Sequence, residues 1–169
     1  MVTTAKSRFL IALGSNLGDR RDAIEAATRT IGRDLGVISA RAPLYETAPI
    51  GVATQVFLNT ALVCHAPGNA EITMHTLLAI EAALGRVRGT PGGDRVIDLD
   101  LLLWHQDGKT ACTSHRGELA TVPHPRMLER DFVLVPAANI AGDWRIKRCG
   151  PTLAELCAER GFSLTALMV

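Results

Sequence analysis

Residues 96–104 read Val-Ile-Asp-Leu-Asp-Leu-Leu-Leu-Trp, the strongest strand signal in the chain. Successive side chains of a β-strand point to opposite faces. Ile97, Leu99, Leu101 and Leu103 are therefore expected to face a core, while Asp98 and Asp100 emerge together on the other side. Any fold of this chain has to bury one face of the strand and accommodate two carboxylates on the other. Side by side and partly desolvated, the carboxylates repel one another. Two readings stand: a hard cation such as Mg²⁺, which suits oxygen-only ligands, or a solvated strand face with two ordinary Asp residues.

The segment just upstream bears on that choice. Residues 86–95, Arg-Val-Arg-Gly-Thr-Pro-Gly-Gly-Asp-Arg, are too rich in Gly for regular structure and read as a loop carrying Arg86, Arg88 and Arg95. Carboxylates holding Mg²⁺ beside several guanidinium groups suit a polyphosphate, neutralised from both sides. The alternative is that the Arg and Asp side chains simply pair. Over the whole chain 18 basic residues face 17 acidic ones, a net charge of +1, which argues against nucleic-acid binding by bulk electrostatics. Of the basic residues 15 are Arg and three are Lys, which fits either phosphate recognition or a general Arg bias. Aromatics are scarce, with seven in 169 residues, so an aromatic at a site carries extra weight.

The periodicities predict an α+β domain. Residues 8–13 read as a buried strand, 19–33 as an amphipathic helix, and 37–47 as a strand that Pro43 confines to an edge or a bulge. Residues 56–65 form a β-rich run with Phe57, Asn59, Ala61 and Val63 on one face, where the polar Asn59 needs a partner. A second helix opens at Asn69 and Glu71 and stops at Gly85, and Thr152 with Glu155 makes a capping box for a C-terminal helix. The order β-α-β-β-α-β plus a tail suggests one domain with a mainly antiparallel sheet of the split βαβ kind.

Several other motifs limit the chemistry. There is no G-x-x-x-x-G-K-[ST] and no G-x-G-x-x-G after a strand. Gly14-Ser15-Asn16-Leu17-Gly18 reads either as an anion cradle or as a tight turn. His124, stiffened between Pro123 and Pro125, is either a positioned donor or a structural residue. Cys64, Cys112, Cys149 and Cys157 make no metal-binding spacing and are expected as reduced, mostly buried thiols. No apolar run has the length of a membrane span or a secretory signal, so the expectation is a cytoplasmic protein without membrane partners.

From about Phe9 to Trp144 these segments resemble the 6-hydroxymethyl-7,8-dihydropterin pyrophosphokinase family of folate biosynthesis. The resemblance rests on Gly14-Ser15-Asn16-Leu17-Gly18, Tyr45-Glu46-Thr47-Ala48-Pro49-Ile50-Gly51, Phe57-Leu58-Asn59 and Gly85-Arg86-Val87-Arg88. It continues through Arg95-Val96-Ile97-Asp98-Leu99-Asp100-Leu101, Val122-Pro123-His124-Pro125-Arg126-Met127 and Arg130-Asp131-Phe132. It implies a ferredoxin-like βαββαβ core with extra short strands and C-terminal helices, forming a single domain over residues 1–169 with 145–169 as a packing tail. It also implies transfer of pyrophosphate from ATP to the pterin, with release of AMP, by a protein expected to be a monomer. Asp98 and Asp100 match the ligands of two Mg²⁺ ions, and Arg86 and Arg95 match arginines acting on the phosphates. Glu81, Arg88, Leu101, His124 and Arg130 match ATP contacts. Thr47, Ile50, Phe57, Asn59 and Phe132 match the pterin pocket, the two Phe residues as its aromatic walls.

One departure matters. Many members carry an Arg-Trp-Gly-Pro-Arg type of run before the strand, where this chain has Thr90-Pro91-Gly92-Gly93-Asp94-Arg95 and keeps only the last Arg. A more mobile lid and looser substrate binding are the expectation, since Gly loses most entropy on ordering. Two rivals are a non-catalytic binding module and a phosphotransferase for another heterocycle. The carboxylates and arginines disfavour the first, and Asn59 with the two Phe residues disfavours the second.

Overall fold

The computed structural model describes residues 7–87, 89, 92–106, 109, 111–165 and 167. Strand β1 (Ser7–Ser15) leads into helix α1 (Arg20–Asp34), followed by β2 (Val37–Arg41), β3 (Tyr45–Thr47) and β4 (Phe57–Ala66). Helix α2 (Ala70–Ala83), β5 (Asp98–Gln106), the short β6 (His115–Arg116) and β7 (Thr121–Val122), then α3 (Asp131–Ala141) and α4 (Leu153–Glu159) complete it. The main sheet runs β2-β4-β1-β5, with β3 also paired to β4, and every pairing is antiparallel. Mixed helix and antiparallel sheet are thus as expected from the periodicities. Residues 37–47 are not one strand but two, because Pro43 lies in the break between β2 and β3 and has no N–H to donate to a ladder.

Helices cover both sides of the sheet. Phe9, Ile11 and Leu13 of β1, Leu58 and Leu62 of β4, and Leu99 and Leu101 of β5 pack with Ile24, Ile31, Leu77 and Ile80 of α1 and α2. On the reverse face Leu10, Ala61, Val63, Leu102 and Leu103 pack under Val133, Leu134 and Ala137 of α3 and Leu153 and Leu156 of α4. Leu103 was expected on the same side as Leu99 and Leu101. A β-bulge moves it: Leu10 pairs with Leu103 and Ile11 with Leu101, so Leu102 is an extra residue and the alternation reverses. Asp98 and Asp100, on the near side of the bulge, keep the common face that the period of two predicts.

Local signals set the helix ends. Asp19 and Asn69 cap α1 and α2 by accepting from the backbone of Asp22 and Ile72 at 3.0 Å each. Thr152 and Glu155 form the capping box of α4. Gly85, with φ of +86°, ends α2 in a Schellman turn in which Arg86 N donates to Glu81 O at 3.0 Å and Gly85 N to Ala82 O at 3.1 Å. All four cysteines are free; Cys64 is buried, which pushes its thiol up to about 11, while Cys149 is exposed, against the expectation of mostly buried thiols.

His105 gives this fold a testable pH dependence. It is 2% exposed and stacks on Trp144 with ring centroids 4.3 Å apart. Burial, with the nearby Arg8 guanidinium, lowers its pKa to about 4. Between about pH 6.5 and 4 the unfolded chain binds a proton there that the folded chain does not, so stability falls as pH drops through this window, by of the order of 3 kcal/mol. Melting temperatures measured from pH 7 to 4 are expected to decline less steeply in His105→Phe than in the parent. Equal slopes would show that His105 contributes nothing to the effect.

Candidate active site

The site forms on the α3 side of the sheet, where β1 contributes its smallest residues. Gly14 lies in register between Asn59 and Asp98, and Ala12 between Ala61 and Asp100. A Cβ at Gly14 would stand 3.0 Å from Asn59 Oδ1 and 3.8 Å from Phe57 Cδ1, so glycine keeps the floor open. Above it is a cavity of about 400 Å³. Thr47, Ile50, Phe57, Asn59 and Phe132 line it together with Arg86, Arg95, Asp98, Asp100, His124 and Arg130. Eleven of the fourteen residues singled out from the sequence therefore share one cavity. Among the other three, Arg88 lies outside the described residues, while Glu81 and Leu101 are buried off the cavity wall. Arg126, Ala12 and Gly14 also line it; Ala12 carries no side-chain chemistry for sequence reasoning to detect, and Gly14 is legible there only as part of a turn or anion cradle.

The electrostatics centre on Asp98 and Asp100. Asp98 Oδ1 accepts from Arg86 Nη1, and Asp98 Oδ2 lies 3.1 Å from Arg95 Nη1. Of the two readings of the Arg and Asp residues, the structure shows direct pairing for Asp98. Among the described residues Asp100 has no such arginine partner, and His124 Nε2 lies 4.0 Å from its Oδ2. Burial and the adjacent Asp98 push the Asp100 carboxyl up, with His124, Arg130 and Arg86 opposing. Two converging carboxylates, one poorly compensated, offer an oxygen-only donor set suited to a hard divalent cation. Burial pulls the His124 imidazole down against the pull of Asp100. Its Nδ1 accepts from Arg126 N at 3.3 Å, and the His124 backbone N–H donates to Leu102 O at 2.9 Å, tying the segment to β5.

Glu81 explains why Arg86 is where it is. Its side chain is buried behind β5, where Oε1 accepts from Leu99 N at 2.7 Å and from Arg86 Nη1. The Schellman turn brings the Arg86 backbone to the same place. Burial pushes Glu81 up; the Leu99 N–H and Arg86 oppose this, while Asp98 and Asp100 add to it. Burial works against the Arg86 charge, but Asp98 and Glu81 outweigh it and its pKa ends raised. Arg86 is consequently a fixed cation bridging a buried carboxylate and the cavity.

Asn59, Phe57 and Phe132 also have defined surroundings. Asn59, 5% exposed, donates from Nδ2 to Thr47 Oγ1 at 2.8 Å, which is the partner its buried position required. The Arg95 guanidinium lies 5.5 Å from the centre of the Phe57 ring, and that of Arg130 lies 5.6 Å from the Phe132 ring. Asn16 is not part of an anion cradle. Its N–H donates to Arg95 O at 3.2 Å and its Oδ1 accepts from Arg95 N at 2.7 Å, so the Gly14–Gly18 segment is a turn fastened to the loop before β5. The C-terminal part of the supposed lid is anchored accordingly, whereas Thr90 and Pro91 lie outside the described residues.

Comparison with known proteins decides the family. Residues 10–142 match the model of the 7,8-dihydro-6-hydroxymethylpterin-pyrophosphokinase family. The chain belongs to this family. It is 38% identical over 159 residues to the 2-amino-4-hydroxy-6-hydroxymethyldihydropteridine pyrophosphokinase of Methylorubrum extorquens, covering 90% of this chain and 93% of that one. The Bacillus subtilis enzyme of the same name is 38% identical over 132 residues, covering 77% and 75%. Against the mitochondrial folate synthesis bifunctional protein of Pisum sativum, also 38% identical, the match covers 83% of this chain but 26% of the other. A crystal structure of Plasmodium falciparum HPPK-DHPS with pterin and p-hydroxybenzoate superposes with a TM-score of 0.67 at 14% identity, over 95% of this chain and 44% of that one. That likeness concerns the fold. Membership identifies the chain as a pyrophosphokinase, a transferase of folate biosynthesis with ATP as its co-substrate.

The Glu81 arrangement leads to a split between stability and turnover. Glu81→Ala leaves the buried Leu99 N–H without its acceptor, at about 1–3 kcal/mol, and is expected to lower both melting temperature and kcat. Glu81→Gln retains an acceptor but removes the charge that fixes Arg86, and is expected to lower kcat about tenfold with a smaller effect on melting. Thermal melts and steady-state kinetics on both variants check this. Parent-like kcat in Glu81→Gln would contradict it.

Proposed function

We propose that this chain transfers the pyrophosphoryl group of ATP to the hydroxymethyl oxygen of 6-hydroxymethyl-7,8-dihydropterin, giving the pterin diphosphate and AMP. The observation that carries this reading is that one cavity joins two chemically different halves. Thr47, Ile50, Phe57, Asn59 and Phe132 suit a flat heterocycle with polar edges, and Arg86, Arg95, Asp98, Asp100, His124 and Arg130 suit a metal polyphosphate. With Nδ2 engaged by Thr47, Asn59 turns Oδ1 to the cavity as an acceptor for a ring N–H. Phe57 and Phe132 serve as the ring's two aromatic walls, and the guanidinium groups now over them mark faces able to take a flat, electron-poor group.

Asp98 and Asp100 would hold Mg²⁺, two ions in the full complex, and their converging oxygens fit that role. Bound there, Mg²⁺ supplies Lewis-acid polarisation of phosphoryl oxygens and of the attacking hydroxyl. The chain's own contribution is charge and position. Arg86 and Arg95, each paired with Asp98, would stabilise charge on the phosphates. His124, Arg130 and Arg88 hold the nucleotide, and Glu81 and Leu101 act from behind the strand, Glu81 through Arg86. The four Arg side chains on the wall, Arg86, Arg95, Arg126 and Arg130, against two Asp residues leave a net positive cavity that favours a polyanion.

The sheet order β2-β4-β1-β5, with helices after β1 and β4, supports a ferredoxin-like core. A single domain over residues 1–169, with 145–169 packed as a tail, belongs to the same proposal, as do a monomeric state and a cytoplasmic location. No helix among the described residues is long and apolar enough to cross a membrane. The test is incubation with Mg-ATP and 6-hydroxymethyl-7,8-dihydropterin, with Asp98→Ala in parallel, and identification of the nucleotide released. AMP from the parent, reduced at least a hundredfold in Asp98→Ala, is expected. ADP would indicate single-phosphoryl transfer, and absence of turnover would favour a binding module.

A further inference from the structure

Asp94 is the point at which three separated loops meet. It belongs to the loop before β5, yet its carboxylate accepts hydrogen bonds from the loop before β4 and from the turn after β1. Oδ1 accepts from Thr54 N at 2.9 Å, Gln55 N at 3.3 Å and Asn16 Nδ2 at 2.6 Å, and Oδ2 accepts from Thr54 Oγ1 at 2.6 Å. Asn16 Nδ2 also reaches Gln55 O at 3.1 Å, closing the junction. All four donors to Asp94 are neutral, and no salt bridge to Asp94 is present among the described residues. Bonds of this kind favour the ionised carboxylate, and its pKa is accordingly lowered to about 2, chiefly by Thr54.

The junction lies beside residues that face the substrates. Arg95 follows Asp94 directly; its guanidinium reaches Asp98 at 3.1 Å and covers the Phe57 ring at 5.5 Å. Phe57 begins β4 two residues after Gln55, and Ile50 lies earlier in the same loop. We propose that Asp94 is a positioning residue that docks the loop before β5 onto the loop before β4, and so sets the placement of Arg95 relative to Phe57 and the pterin wall. Arg95 acts on phosphate while Phe57 walls the ring, so the junction joins the two halves of the cavity. A merely stabilising contact would change melting without singling out one substrate. A positioning contact changes the pterin KM and kcat, because both depend on this relative placement, and leaves the ATP KM alone.

This inference rests on the pyrophosphokinase reading for its kinetic arm, and the test is chosen to separate the two. Formation of AMP by the parent first checks the reading itself. In Asp94→Ala the pterin KM is expected to rise about tenfold and kcat to fall about tenfold, with the ATP KM within about twofold of the parent. Asp94→Asn, which presents N–H₂ to one of the donors, is expected to fall between. Thr54→Val removes one donor, and its effect is expected to vanish in the Asp94→Ala background, as two halves of one contact require. Independently of turnover, hydrogen exchange at the Thr54 and Gln55 amides is expected to quicken at least tenfold in Asp94→Ala. Unchanged exchange at these amides would overturn the docking contact. Faster exchange with parent-like kinetics, or an ATP KM that rises as much as the pterin KM, would overturn the positioning role.

Discussion

Two carboxylates on one face of one strand set the requirements that the rest of this site meets. Asp98 and Asp100 are kept on a common face by the β-period and kept close to the core by Leu99 between them. Their charge is compensated unequally: Asp98 binds Arg86 and Arg95, while half-buried Asp100 has His124 4.0 Å away. The pair is therefore neither a closed salt-bridge network nor a solvated surface. It lies in a cavity otherwise rich in arginine, where the proposed metal-bound polyphosphate would balance charge of both signs.

The rest of the fold holds these groups in place. Gly85 ends α2 in a turn that returns Arg86 toward Glu81, and Glu81 in turn grips the backbone of β5 at Leu99. One buried carboxylate thus connects a helix end, a cavity-lining arginine and the strand bearing both aspartates. On the neighbouring strand, Ala12 and Gly14 surrender side-chain volume so that Asn59 and Asp98 face a shared space. At the rim, Asp94 and Asn16 gather three loops. Each device belongs to a different part of the sequence, and antiparallel pairing around β1 is what brings them to one end of the sheet.

Much of this was legible before any coordinates. The period of two put Asp98 with Asp100 and Phe57 with Asn59, and capping residues marked the helices. The site residues came through the family resemblance, and eleven of them share the cavity. What stayed hidden was of three physical kinds. The bulge at Leu102 that turns Leu103 over arises from pairing with β1, which a local pattern does not encode. The small residues of the floor matter by the volume they leave empty. The contacts of Glu81, Asp94 and Asn16 join residues whose meeting depends on the tertiary fold, so Glu81 reads as a substrate contact and Gly14–Gly18 as an open choice when viewed along the chain alone. Asp94 and Arg95 anchor the end of the Gly-rich run through contacts that its local sequence does not encode.

Asp98 and Asp100 form the face proposed as a cation site working with nucleotide. Electron paramagnetic resonance titration of Mn²⁺ into the chain, with a non-hydrolysable ATP analogue present, measures this directly, using Asp100→Asn as the near-isosteric control. Mn²⁺ affinity at least tenfold weaker in Asp100→Asn, with Phe57→Ala unchanged, is expected. The same Mn²⁺ affinity in the parent and in Asp100→Asn would contradict the claim.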